Sequence, residues 1–102
     1  MRNVKTLLMV LVTPLFLAAS DRGYVPPKGV VPDAPTAIAI AVAVWRPIYG
    51  ESVIEGERPI TATLYDDYWW VQGTVPEGRT GGATMARISK ADGRVLFIWA
   101  EK

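Results

Sequence analysis

An α+β fold, with one main helix packed on a curved four-stranded antiparallel meander, is what three features of this 102-residue sequence predict. Residues 34–45 carry no charge and lie between a helix-starting Asp33-Ala34-Pro35 and a helix-limiting Pro47. Four runs rich in β-branched and aromatic residues follow residue 58. Between consecutive runs lie a two-residue acidic turn, a Gly-rich loop and an Asp-Gly turn, the punctuation of a meander.

At the N terminus, Arg2 and Lys5 precede the apolar "TLLMVLVTPLFLA", and small residues follow at Ala18–Ser20. This is the layout of a signal peptide over residues 1–20, cleaved after Ser20, which implies export, to the periplasm in a bacterium. An uncleaved anchor is the alternative, although Pro14 interrupts the run and a membrane span needs roughly 20 apolar residues. Ser20 stands where a lipid-bearing cysteine would be needed, so no lipidation is expected. Residues 21–32, "DRGYVPPKGVVP", hold three prolines and two glycines and read as an extended linker. The domain proper is expected over residues 33–102.

Ile38, Ile40, Val42 and Val44 alternate with alanines, which by itself suggests a strand. Alanine, however, is the best helix former and a poor strand residue. At about 100° per residue, Ala37 and Ala41 form a shallow centre. Ile40 and Val44 flank it on one side, and Ile38, Val42 and Trp45 on the other. Asp33 is the expected N-cap, with Pro35 tolerated in the first turn. Pro47 disfavours helical geometry at Arg46, so the helix is expected to stop near Trp45. Glu51, Glu55 and Glu57 then fall in a Gly-containing, solvated loop.

The strands are expected at "PITATLY" (59–65), "YWWVQGTV" (68–75), "ATMARIS" (83–89) and "RVLFIWA" (94–100). Asp66-Asp67 forms the first turn and "PEGRTGG" (76–82) the loop, with Gly82 leaving room for close approach. Asp92-Gly93 closes the last hairpin.

Composition excludes more chemistry than it suggests. The chain has no histidine and no cysteine, which removes the usual general base, thiol nucleophiles and most zinc sites. Ser20, Ser52 and Ser89 have no histidine to activate them. "GRTGG" lacks the Lys-Ser/Thr and helix of a phosphate loop. Without residues 1–20, nine basic residues face ten acidic ones, a net charge of −1 that argues against nucleic acid. No catalytic residue, cofactor or metal is therefore expected.

The aromatic residues are more telling. Trp69, Val71 and Gly73 share one face of the second strand, Trp70 and Gln72 the other. In the last strand, Leu96 and Ile98 oppose Val95, Phe97 and Trp99. One helix can cover only one face of the sheet. Either residues 21–32, with Tyr24 and Val25, fold over the second face, or that face is a partner surface centred on Trp70, Gln72, Phe97 and Trp99.

"PDAPTAIAIAVAVWRPIYG", "DDYWWVQGTVP" and "GGATMARISKADGRVL" together resemble the nuclear-transport-factor-2-like fold immunity proteins of bacterial polymorphic toxin systems. The matching residues are Trp45, Pro47, Tyr49 and Gly50, then Trp69, Val71 and Gly73, then Gly81 and Gly82, then Asp92 and Gly93. The resemblance implies a cone-shaped α+β domain that is not an enzyme and binds and neutralises a cognate protein toxin. Two other readings compete with it. One is a periplasmic peptidase inhibitor of the PepSY or cystatin-like type. The other is a small-ligand-binding member of the same fold, which would need ionisable groups lining an interior cavity, whereas the expected core is almost wholly apolar.

Overall fold

A computed structural model describes residues 23–100, so the expected signal peptide lies outside the described residues. The elements run α1 (Ala34–Tyr49), α2 (Glu51–Gly56), β1 (Thr61–Tyr65), β2 (Tyr68–Gln72), β3 (Met85–Ser89) and β4 (Val95–Trp99). The strands form one antiparallel sheet in the order β1-β2-β3-β4, and α1 packs across β1, β2 and β3. Helix on meander is the predicted fold class.

α1 begins where the sequence predicts. The Asp33 carboxylate accepts from the Thr36 amide at 3.0 Å and the Thr36 hydroxyl at 2.6 Å, satisfying one of the free first-turn donors. Those bonds, the hydroxyl's first, hold the carboxyl below its ordinary pKa. Ala37 and Ala41 are fully buried, with Val42 and Trp45 beside them, while Ala39 and Ala43 are exposed. The alanine floor lets the helix backbone approach the sheet closely.

The helix does not stop at Trp45. It runs through Pro47 to Tyr49, and the Gly50 amide then closes on the Arg46 carbonyl at 3.0 Å. A proline removes one ladder donor and crowds the preceding turn. Here it falls in the last turn, where little ladder remains to lose, and buried Trp45 pins the helix just before it. Nor is the next segment a loop. Gly50, at φ 93°, turns the chain into α2, whose Ile54 enters the core. Glu51 is exposed and pairs with Arg46, and Glu55 with Arg58.

The core joins Val31, Trp45, Ile54, Ile60, Trp69, Val71, Ala86 and Ile88 to the helix floor. Val31, inside the Pro/Gly-rich segment, is among its fully buried members. The Val30 and Val31 amides donate to the Ala91 and Lys90 carbonyls at 2.9 and 3.0 Å. Gly29 makes this docking possible, because a Cβ there would lie 2.5 Å from the Lys90 carbonyl oxygen. The end of the segment therefore seals the helix side of the sheet. Tyr24 and Val25, at 81 and 83 % exposure, cover nothing, which rules out their closure over the other face.

Both predicted turns form. Asp66-Asp67 joins Tyr65 to its partner Tyr68, and Asp92-Gly93 lies in the turn between β3 and β4. One strand departs from simple alternation. The pairing Arg87↔Phe97 is followed by Ile88↔Val95, an irregularity that spends an extra residue in β4. Val95 thus faces a core residue instead of sharing a side with Phe97 and Trp99, as strict alternation predicts.

Candidate interaction surface

The register of the sheet assembles the residues expected at a partner surface. Thr63, Trp70, Arg87 and Phe97 form one cross-strand row, and Thr61, Gln72, Met85 and Trp99 the next. Residues directly opposite one another in antiparallel strands share a face. All four predicted residues, Trp70, Gln72, Phe97 and Trp99, therefore lie together on the face away from α1. Phe97 and Trp99 are 41 and 42 % exposed, and Trp70 is half-buried. The Trp70 indole N–H donates to the Gln72 side-chain oxygen at 2.6 Å, so the two act as one unit.

Arg87, which the sequence reading does not single out, holds the centre. Its guanidinium carbon lies 5.2 Å from the Trp70 ring centroid, 5.2 Å from that of Phe97 and 5.7 Å from that of Tyr68. Cation–π attraction over three rings orders the side chain. Period two in "ATMARIS" does put Arg87 on the side of Met85 and Ser89. Only the register between β2, β3 and β4 shows that two aromatic strands flank it.

Around β4 the apolar surface continues. The helix covers β1 to β3 and leaves this edge strand uncovered, and Leu96 is exposed. An exposed apolar edge strand is a liability in an isolated domain and a natural site for an occupant.

The motif residues play a different part, as scaffold. Trp45 donates to the Met85 carbonyl at 3.3 Å and Trp69 to the Val31 carbonyl at 2.9 Å, both from the helix side. Tyr49 packs against the core, Val71 is fully buried, and Gly81 takes φ 102° in the loop before β3. Gly73 faces Glu57: a Cβ at this position would lie 2.6 Å from a Glu57 carboxylate oxygen and 2.9 Å from its Cβ.

Glu57 corrects the expectation of a solvated glutamate and, with Thr84, is the polar exception in an otherwise apolar buried set. It is 3 % exposed. One carboxylate oxygen accepts from the Thr84 amide at 2.8 Å and the Thr84 hydroxyl at 3.0 Å. The other accepts from Arg79 at 2.9 Å. The Glu57 carbonyl receives the Thr74 amide at 2.8 Å. The residue thereby ties α2, the end of β2, the 76–82 loop and the start of β3 together. A cavity of about 490 Å³ opens beside it, lined also by Ile48, Tyr49 and Val53. Both carboxylate oxygens are already engaged, so the arrangement works as an internal clasp, with its charge answered from within the chain. No sequence signal marked it, because Glu57 shares its local pattern with solvated Glu51 and Glu55.

Compared with known proteins, residues 36–102 match the family model for NTF2 fold immunity proteins. No curated protein and no solved structure matches the chain.

Proposed function

The chain belongs to the NTF2 fold immunity protein family, and from that premise we propose that it is a non-enzymatic immunity protein whose outer sheet face binds and neutralises a cognate protein toxin. The observation that carries this reading is the row Trp70–Arg87–Phe97, with Gln72 and Trp99 beside it, held in register by the sheet. Tryptophan, tyrosine and arginine are the residues enriched at interface hot spots. Here they stand preassembled, so little side-chain freedom is lost when a partner arrives.

The encounter is proposed to take place outside the cytoplasm. Support comes from Arg2, Lys5, the apolar stretch after them and Ala18–Ser20. Protein from a periplasmic fraction should begin at Asp21; intact Met1 in the cytosol would contradict export.

Co-expression with the product of the adjacent reading frame tests the function. The wild-type chain should restore growth and co-purify with that product. Trp70→Ala should keep its melting temperature within a few degrees and lose protection. Unchanged protection at unchanged stability would place the interface elsewhere.

A further inference from the structure

The centre of the outer face constrains the chemistry of whatever docks there. Arg87 is the one charged residue on that face of the four strands; the other positions carry hydroxyl, amide, thioether and aromatic groups. It is exposed and enters no ion pair among the described residues, a state it shares with Arg94 just before β4, whereas Arg46, Arg58 and Arg79 each have a glutamate. The rings of Trp70, Phe97 and Tyr68 steady the guanidinium, yet a π-face does not satisfy its five N–H donors.

Resting on the reading that this face meets the toxin, we propose that Arg87 receives a carboxylate, an Asp or Glu side chain that the toxin presents within an otherwise apolar contact. A partner that covers these aromatics strips water from Arg87 as well. A desolvated cation without a counter-charge is strongly unfavourable, so a partner that brings one fits best. A carboxylate matches the planar guanidinium with two parallel hydrogen bonds. A second copy of this chain fits poorly. A two-fold contact centred on the patch would set Arg87 against Arg87 and supply no carboxylate from the same face.

The test measures binding of the adjacent reading frame's product, over a range of salt concentrations, to the wild type, Arg87→Met, Arg87→Lys and Trp70→Ala. Arg87→Met keeps an apolar stem against the rings and deletes the charge. It should melt like the wild type, bind at least about tenfold more weakly at low salt, and show a flatter salt dependence. Arg87→Lys should retain part of the affinity and the wild-type salt slope. Weakened binding by Trp70→Ala beside unchanged binding by Arg87→Met would overturn the carboxylate while leaving the surface in place. Failure of the wild type to bind would remove the functional reading and this inference together. A wild-type homodimer that Arg87→Met tightens would assign the face to self-association and overturn the proposal.

Discussion

Trp69 and Trp70 are chemically identical neighbours on one strand, and the two faces of the sheet use them for opposite purposes. Trp69 is 8 % exposed, and its N–H is tied to a backbone carbonyl, that of Val31, across the core. Trp70 is half-buried, and its N–H is tied to the Gln72 side chain at the surface. The difference is general to the two sides. Against the helix, polar atoms are satisfied by backbone or by other buried groups, as with Trp45 on Met85 and Glu57 on Thr84. On the outer side the Trp70 N–H is satisfied by a side chain that a partner can displace, and Arg87 is steadied by rings that leave its N–H donors open. Bonds to fixed backbone hold a fold; bonds between exposed side chains can be exchanged for a partner's.

The sharpest way to break this comparison is to truncate each tryptophan. Trp69→Ala removes core volume and leaves the Val31 carbonyl without its donor, and should cost about 3–5 kcal/mol. That is enough to threaten folding of a domain this small. Trp70→Ala should shift denaturant midpoints far less, so equal losses would mean that the two faces are not distinct. Next in size is the buried clasp. Glu57→Ala strands the Thr84 amide inside the protein and should cost about 1.5–3 kcal/mol by chemical denaturation. A neutral result would show that water replaces the carboxylate. A comparable effect is expected on the helix floor, where Ala41→Leu should overpack the sheet contact by about 1–3 kcal/mol. Ala39→Leu, on the exposed side of α1, should be smaller than any of these. Matching melting temperatures for the two alanine variants would mean that the helix is rotated from its assigned face.

The sheet and its two faces were legible because strand alternation and turn chemistry are local. Asp66-Asp67 and Asp92-Gly93 punctuate the runs, and Trp69 and Trp70 separate by period two. The helix was legible from the Asp33 cap and its alanines. Its far end was not, since buried Trp45 outweighs the local cost of Pro47. Val31 and Glu57 were missed for a related reason. Each is buried by residues distant in sequence, Val31 by the β3–β4 turn and Trp69, Glu57 by Thr84 and the space left at Gly73. Trp70, Gln72, Phe97 and Trp99 could be placed on one face in advance. Arg87 as the centre of that face depends on strand register, and the Val95 alternation fails at an irregularity that no residue type announces.

Hydroxyl-radical footprinting of the free protein and of its complex with the adjacent gene product tests the central claim most directly, because it reads both faces in one sample. Trp70, Phe97 and Trp99 should label readily in the free protein and become protected in the complex. Trp69 and Trp45 should label weakly in both. Unchanged labelling of Trp70, Phe97 and Trp99 in a complex that has demonstrably formed would contradict the proposal that the outer face binds the toxin.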